Sequence, residues 1–315
     1  MRRLLRGASP MIVSVVIATR DRRESLAATL SALSAVRTPS GLRAEIVVAD
    51  NGSTTDTAEL LAGTPSGGRG VRRVIEPRRG KSRALNAALR TVRSDLIAFL
   101  DDDVRPAPDW LERTVDALVT QRADVVAGEV RLAPKLVRDW MTTTHRAWLA
   151  ETASAREGVG ANLTIRREVL SRVPRFDPEL GPGALGLWED TLFLAQARAA
   201  GLRIGSAPGA VVHHHFDESR LSRAAWLRHA AAQGRSEAYV SWHWENAPDH
   251  RSLARELALR FRLAARRIRR RRSAPAPDWE LDLLSGLAFE QQWRRERTRG
   301  RAYPRRDALK TGGQP

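Results

Sequence analysis

The sequence predicts an α/β fold with a doubly wound, mostly parallel sheet, followed by a helical, basic C-terminal extension. Short apolar runs rich in β-branched residues alternate with helical patterns from residue 11 to about residue 127. This alternation is typical of βαβ units. Around residue 218 the strand patterns end, and the chain becomes helical and rich in arginine. The sheet is therefore expected in the first two thirds of the chain.

Five apolar runs predict the strands. They span residues 13–18, 45–49, 71–75, 95–100 and 124–127. The first run follows three arginines, which resembles the start of a signal peptide, but Ser9 and Pro10 interrupt the pattern and no small-residue cleavage site follows. We therefore assign the run to a buried strand that follows an N-terminal leader, residues 1–10.

Helices are predicted where apolar residues recur at i, i+4 and i+7, because this spacing gives one packed face. The spacing occurs at Leu26, Leu30 and Leu33, and again at Leu85, Leu89 and Val92. A further helix is predicted over residues 191–200, ended by Gly201. The glycine-rich stretch 181–186 before it predicts a mobile loop that covers a ligand.

The C-terminal extension is expected over residues 218–298 and a disordered tail over residues 299–315. Residues 252–272 predict a helix with one apolar face crowded by arginine, and residues 273–277 break it before a short apolar segment, 281–289. The pattern of this helix is compatible with three roles: packing on the preceding domain, contact with an anionic membrane, or RNA binding. Packing or membrane contact is favoured because the helix has too few aromatic residues for base stacking.

The amino-acid composition excludes several kinds of catalytic and metal site. The 315 residues include no cysteine, which excludes disulfides, thiolate nucleophiles and cysteine-bound zinc. The net charge is +17, yet residues 251–315 alone carry 18 basic and 7 acidic side chains. Most of the excess charge therefore lies in the extension, where it indicates either a basic partner-binding surface or only a composition biased towards arginine. No apolar run approaches the roughly 18 residues that cross a bilayer, so we expect a soluble or peripheral protein.

Ligands of open α/β sheets bind beyond the carboxyl ends of the strands, so polar residues at those ends are the first site candidates. One set, residues 101–103, is three consecutive aspartates directly after a buried strand. Adjacent carboxylates repel one another unless a cation binds them. An N-cap with solvated acids is the alternative interpretation.

Five motifs in register resemble the family 2 glycosyltransferases of GT-A fold, over roughly residues 11–240. They are residues 14–22 (SVVIATRDR), 46–53 (IVVADNGS), 80–86 (GKSRALN), 99–104 (FLDDDV) and 188–191 (WEDT). The resemblance makes residues 11–217 the catalytic domain, with 11–127 as the nucleotide-binding half and 128–217 as the acceptor and catalytic half.

The resemblance implies a donor site. Asp50 matches the carboxylate that accepts from the nucleotide base, with Thr19 and Arg20 beside it, and an Asx-turn to Ser53 is the alternative role for Asp50. Lys81, Arg83 and Asn86 match the segment that meets phosphate or ribose oxygens, and a solvated basic turn is the alternative there. Relatives often carry arginine before the asparagine, where this chain has Leu85, so the contacts of that helix are left open.

The resemblance also implies a divalent metal, Mn²⁺ or Mg²⁺, between carboxylate and diphosphate. Asp101 and Asp103 match the D-x-D ligands, with Asp103 preferred and Asp101 alternatively on the ribose, and Asp102 is placed in the donor site. Residues 208–215 (PGAVVHHH) match the segment that supplies a histidine ligand in some relatives. His214 aligns best among the three histidines, and a plain hydrogen-bonding histidine is the alternative.

Catalysis is assigned to Glu189 and Asp190. The matching aspartate in relatives is the general base that takes the acceptor proton during in-line attack, and Asp190 is preferred for this role. Two acids at a helix N-terminus are the alternative. Asn162 matches a residue under the donor sugar, and Trp188 is placed against a sugar face or in the core.

The resemblance implies an inverting, metal-dependent glycosyltransferase of cell-surface polysaccharide or glycolipid synthesis. The absence of both transmembrane helices and a Q-x-x-R-W segment indicates a nonprocessive enzyme rather than a polymerising synthase. Its partners would be a UDP-, GDP- or dTDP-sugar and a saccharide or lipid-linked acceptor. We expect it in the cytoplasm, at the inner face of the plasma membrane. The alternatives are a metal-dependent nucleotidyltransferase, which would carry a glycine-rich loop after its first strand, and a noncatalytic basic adaptor for membrane or nucleic acid.

Overall fold

The computed structural model describes residues 10–55, 57–63, 67–152, 160–250, 252–269 and 275–304. Its contacts divide the chain into two compact units. The sheet unit contains Met1–Pro178 and Glu189–Phe216, and the helical unit contains Glu179–Trp188 and Asp217–Pro315. The predicted leader up to residue 9, residues 270–272 of the basic helix and residues 305–315 of the predicted tail lie outside the described part.

The sheet unit is built on one eight-stranded sheet, with strand order β3-β2-β1-β4-β7-β6-β8-β5. The strands are β1 (Met11–Thr19), β2 (Leu42–Asp50), β3 (Gly70–Ile75), β4 (Leu96–Asp101), β5 (Val104–Pro106), β6 (Val125–Leu132), β7 (Asn162–Arg166) and β8 (Ile204–His214). Strands β3, β2, β1 and β4 are parallel, while β7 runs antiparallel to both β4 and β6. The predicted doubly wound α/β fold is confirmed.

The described helices of the sheet unit are α1 (Arg23–Ser34), α2 (Thr57–Gly63), α3 (Lys81–Thr91), α4 (Trp110–Thr120), α5 (Thr143–Trp148) and α6 (Glu189–Ala199). Helix α6 begins two residues before the predicted start, so Glu189 and Asp190 lie in its first turn. The dipole at a helix N-terminus favours acidic side chains there.

Two hydrophobic clusters cover the two faces of the sheet. Alternate residues of β1 point to opposite faces, so Val15 and Ile17 join one cluster and Val16 joins the other. The first cluster includes the leucines of α1 and the apolar residues of α4, and the second includes those of α3 and α6. Leu85 is buried in the second cluster, which explains an apolar residue at a position where arginine is frequent in the resembled family.

The helical unit contains α7 (Arg223–His243), α8 (Ser252–Arg269) and α9 (Asp278–Glu296). Helices α7 and α9 come close at Gly234, where an added Cβ would collide with the carbonyl oxygen of Ser285. The residues of the glycine-rich stretch, 181–186, belong to this unit, and Gly181 and Gly186 close a turn through their backbone groups. No helix in the described ranges has an apolar stretch long enough to cross a membrane.

Candidate active site

The candidate site lies at the carboxyl ends of β1, β2 and β4. Thr19 pairs with Asp50 across the β1–β2 ladder, and Ala18 pairs with Asp101 across the β1–β4 ladder. Parallel strands present their carboxyl ends at the same edge of a sheet. The register therefore brings the ends of the first, second and fourth predicted strands together, as the sequence patterns indicate.

Asp50 is fully buried and paired with Arg73, a residue that sequence reasoning missed. Its Oδ2 accepts from Nε and Nη2 of Arg73 at 2.8 and 2.5 Å, and its Oδ1 accepts from the backbone N–H of Ser53 at 2.8 Å. Burial opposes the charge, but these hydrogen bonds hold the pKa of Asp50 below its ordinary value. The Asx-turn alternative is present, and the contact with a nucleotide base stays a prediction.

Asn51 holds the loop before α3 in place. Its amide nitrogen donates to the carbonyl oxygens of Glu76 and Arg78, and its Oδ1 accepts from the backbone N–H of Gly80 at 2.7 Å. Gly80 has φ of 139°, a conformation that favours glycine. The start of α3, including Lys81, is therefore positioned by β2.

Asp102 and Asp103 are both buried and share one arginine. Arg22 donates through Nη1 to Asp102 at 2.5 Å and through Nη2 to Asp103 at 2.8 Å, while Thr19 Oγ1 donates to Asp102 at 2.7 Å. Burial raises the pKa of Asp102 to about 6 despite the charge of Arg22. Arg22 is a site residue that sequence reasoning missed, because the motif of residues 14–22 does not show which carboxylates its side chain reaches.

Lys81 joins the aspartate run to the acidic start of α6. Its Nζ lies 2.6 Å from Oδ1 of Asp101 and 3.2 Å from Oε1 of Glu189. Burial disfavours the ammonium group, but the charges of Asp101 and Glu189 raise the pKa of Lys81 above its ordinary value. Burial also raises the pKa of Glu189, although Lys81 opposes that shift. Lys81 therefore stays charged between two carboxylates.

Asp190 is held by backbone groups. Its Oδ2 accepts from the N–H of Gly160 at 2.5 Å, and its Oδ1 accepts from the N–H of Thr191 at 2.7 Å. An added Cβ on Gly160 would lie 3.2 Å from the Asp190 carboxylate. The Asp190 carboxylate is half-buried at the N-terminus of α6 and has lone pairs left to accept a further hydrogen bond.

His214 faces Asp103 in a buried pair. The Nε2 of His214 lies 3.1 Å from Oδ1 of Asp103, and its Nδ1 lies 2.9 Å from the carbonyl oxygen of Leu149. Because a carbonyl oxygen only accepts, Nδ1 carries the proton. Nε2 then faces a carboxylate oxygen, and two acceptors at this distance need a proton or a cation between them.

These donors fit a hard divalent cation in part. Asp103 supplies oxygen and His214 supplies an imidazole nitrogen oriented by Leu149, whereas Asp101 is engaged by Lys81. Within the described ranges, no three carboxylate or imidazole groups are gathered closely enough to hold an ion. One or two protein ligands suffice where substrate phosphates supply the others.

Asn162 requires a correction. Its amide nitrogen donates to the carbonyl oxygens of Glu129 and Ala210, and its Oδ1 accepts from Nε1 of Trp110 at 2.8 Å. Both amide hydrogens are used and the side chain is 1% exposed. Asn162 therefore ties β6, β7 and β8 to α4, and the predicted contact with a sugar hydroxyl is wrong in this geometry.

The other residues predicted for the donor site make contacts outside the ion pairs described above. Arg20 donates to the carbonyl oxygen of Asn51, and the Arg83 side chain lies against Gly80. Asn86 donates to the carbonyl oxygen of Phe176 at 2.7 Å. Trp188 belongs to the helical unit, where its Nε1 donates to Gln233 at 3.0 Å, and its φ is 75°. A non-glycine residue in this conformation stores backbone strain directly before Glu189.

A family model described as Glycosyl transferase family 2 matches residues 14–173, which includes the aspartate run and β7. The succinoglycan biosynthesis protein ExoM of Rhizobium meliloti is 34% identical over 214 residues, 65% of this chain and 67% of ExoM. The undecaprenyl-phosphate 4-deoxy-4-formamido-L-arabinose transferase of Edwardsiella ictaluri is 34% identical over 121 residues, 38% of this chain and 37% of that protein. The chain thus covers well under two thirds of this second relative.

A solved structure supports the fold. The mannosyltransferase PcManGT from Pyrobaculum calidifontis, in complex with GDP-Man and Mn²⁺, superposes with a TM-score of 0.54 over 94% of this chain and 77% of its own, at 18% identity. At this identity the likeness concerns the fold alone. The matches favour a glycosyltransferase over a nucleotidyltransferase or a noncatalytic adaptor. The chain belongs to glycosyltransferase family 2 and is a glycosyltransferase of GT-A fold.

Proposed function

We propose that the chain is a nonprocessive, inverting glycosyltransferase that moves a sugar from a nucleotide-sugar donor to a hydroxyl acceptor. The observation that carries this proposal is the Lys81 bridge. Lys81 contacts Asp101 at the end of β4 and Glu189 at the start of α6. It thereby connects the candidate donor-binding aspartates with the acidic pair that contains the candidate base.

The donor is proposed to bind at the strand ends, with its nucleotide between β1 and β2. Asp50 orients Arg73 and the turn to Ser53, and Asn51 orients the start of α3. Asp103 and His214 would hold the divalent cation, and the chemistry it would supply is stabilisation of the charge on the diphosphate leaving group. Arg22 holds Asp102 and Asp103 in position for this task.

Asp190 is proposed as the general base. The N–H groups of Gly160 and Thr191 fix the orientation of its carboxylate, which leaves a lone pair to take the proton of an acceptor hydroxyl. Glu189 is engaged by Lys81, so it serves to hold the site rather than to accept the proton. A single displacement assisted by one base inverts the configuration at the anomeric carbon.

The acceptor class is proposed from relatives. One relative is named for succinoglycan biosynthesis and another for transfer to undecaprenyl phosphate. These names support a saccharide or lipid-linked acceptor in polysaccharide or glycolipid synthesis. We further propose that the enzyme works at the inner face of the plasma membrane, where a lipid-linked acceptor would be found.

The test is turnover with a panel of UDP-, GDP- and dTDP-sugars, measured as nucleoside diphosphate release with and without Mn²⁺. We expect release from one donor class that requires the metal and is enhanced by a saccharide or polyprenyl-phosphate acceptor. The anomeric configuration of the product, read by NMR, is expected to be opposite to that of the donor. Retention of configuration, or a folded protein that turns over no donor in the panel, contradicts the proposal.

A further inference from the structure

Helix α8 carries an exposed apolar stripe. Leu253, Leu257, Phe261 and Ile268 are 59%, 58%, 75% and 87% exposed. At 100° per residue these positions fall on one face of the helix. Among the described residues, only two other large apolar side chains are exposed, Ile12 of β1 and Ile75 of β3. The exposure is therefore concentrated on one element.

A different face of α8 packs within the helical unit. Ser252, Glu256 and Leu263 are buried. Ser252 donates to the carbonyl oxygen of Glu290 at 2.8 Å, and Glu256 pairs with Arg294 of α9. These residues lie roughly 100° or more around the helix from the centre of the apolar stripe. Packing against α9 thus accounts for one face and leaves the stripe uncovered within the unit.

Arginines border the stripe on one side. Arg260 and Arg267 lie between the stripe and the packed face, where they pair with Glu256 and Glu280. On the other side the stripe is flanked by alanines, and the next arginines, Arg255, Arg262 and Arg266, lie roughly 135° or more from its centre. The helix therefore combines an apolar strip, a line of arginines beside it and an excess of positive charge, which is the pattern of helices that lie in a membrane interface.

We propose that α8 docks on the surface of a bilayer that contains anionic lipids, with the stripe among the acyl chains and the arginines at the phosphates. Charge decides between the possible occupants. A second copy of this chain would bring its own arginines against these, and residues 251–315 carry 18 basic and 7 acidic side chains. An RNA would match the arginines but would leave the four apolar side chains in water. An anionic bilayer satisfies both features.

This proposal does not rest on the proposed function, because docking needs neither donor nor metal. The experiment is flotation of the full chain with vesicles of phosphatidylcholine alone or mixed with phosphatidylglycerol. We expect the protein to float with the mixed vesicles, to stay behind with phosphatidylcholine alone, and to lose binding as the salt concentration rises. Failure of the protein to float with vesicles would overturn membrane docking alone, whereas failure to turn over any donor would overturn the proposed function alone.

Variants separate the two features of the surface. Leu257→Ser with Phe261→Ser is expected to weaken binding at least about tenfold, since both side chains would leave the acyl region. Ile75→Ser, at a similarly exposed apolar residue of β3, is the matched control and is expected to bind as the wild type does. Arg260→Gln, at an arginine that borders the stripe, is expected to weaken binding several-fold. Thermal melting verifies that each variant is folded.

A second readout does not depend on removing residues from the stripe. The chain has no cysteine, so Ile268→Cys can carry an environment-sensitive fluorophore, with Ala62→Cys of α2 as an exposed control. The label at 268 is expected to shift to the blue only with the mixed vesicles. The proposal is overturned if the wild type ignores anionic vesicles, if the double variant binds equally well, or if the stripe instead causes dimerisation that excludes vesicle binding.

Discussion

His214 and Asp103 form a buried pair in which Nε2 lies 3.1 Å from Oδ1. The carbonyl oxygen of Leu149 fixes the other ring nitrogen as the donor. Strand β8 supplies the histidine and the turn after β4 supplies the aspartate, and β5 lies beside β8 through the pairing of Val104 with His214. Two acceptors are thus held face to face, and a proton or a cation between them would relieve their repulsion.

Replacement of His214 tests this pair. His214→Ala is expected to raise the Mn²⁺ concentration needed for nucleotide binding by at least about tenfold, because one nitrogen ligand is lost. The matched control is His213→Ala, since neighbouring strand residues point to opposite faces, and it is expected to leave the metal dependence unchanged. Calorimetric titration of nucleotide at several Mn²⁺ concentrations measures the effect. Equal metal dependence in wild type and His214→Ala contradicts the assignment.

Lys81 is expected to be essential for stability as well as for activity. Lys81→Met leaves Asp101 and Glu189 without their shared cation, which we expect to lower the free energy of unfolding by about 3 kcal/mol. The double variant Lys81→Met with Glu189→Gln removes one of the two charges and is expected to recover part of this loss without recovering turnover. Denaturant unfolding of both variants provides the measurement. A single variant as stable as the wild type argues against the bridge.

Asp190 and Glu189 are expected to respond differently to neutralisation. Asp190→Asn removes the proposed base and should lower kcat by about 10²- to 10⁴-fold while nucleotide affinity stays near the wild-type value. Glu189→Gln keeps the base and should have the smaller effect on kcat. Steady-state kinetics with the donor found in the panel distinguish them. The assignment fails if Glu189→Gln proves the more damaging change.

The helical unit provides a prediction on pH. Hydrogen bonds from Arg294 lower the pKa of Glu256 to about 2. A carboxylate with a lowered pKa in the folded state stabilises fully above the unfolded value, near 4.5, and loses its contribution as the pH falls towards 2. Glu256→Gln is therefore expected to cost about 2 kcal/mol at neutral pH, with a difference from wild type that shrinks below about pH 4.5. Urea unfolding of the wild type and Glu256→Gln across this pH range measures the difference in unfolding free energy. A difference that does not change with pH contradicts the prediction.

Local patterns were sufficient for most of the sheet. The five predicted strands are confirmed, with starts within three residues of those in the structure, because buried parallel strands are continuous apolar runs. The largest difference is at β6, which ends five residues beyond the predicted 124–127. The three residues of β5 are too few to form a pattern, and β7 contains polar residues whose bonds are satisfied only in the fold. The assignment of Glu179–Trp188 to the helical unit also depends on contacts between distant parts of the chain.

The sequence could predict which strand ends form the site but not which side chains pair there. The ends of β1, β2 and β4 meet as expected, whereas the pairs of Arg22 with Asp102 and of Arg73 with Asp50 join residues on different elements. Asn162 shows the opposite error, since a polar residue in a family motif turned out to hold strands together. Asn51 lies within the motif of residues 46–53, but the motif does not indicate its hydrogen bonds to the carbonyl oxygens of Glu76 and Arg78.

The most direct test of the account is nucleotide binding by the purified chain. Thermal shifts are measured with UDP, GDP, dTDP and CDP, each with and without Mn²⁺, for the wild type and Asp103→Asn. A ligand that binds the native state raises the melting temperature. We predict a shift for one nucleotide that requires Mn²⁺ and vanishes in Asp103→Asn. A folded wild-type protein that shows no shift with any nucleotide, or an Asp103→Asn variant that keeps the full metal-dependent shift, contradicts the account.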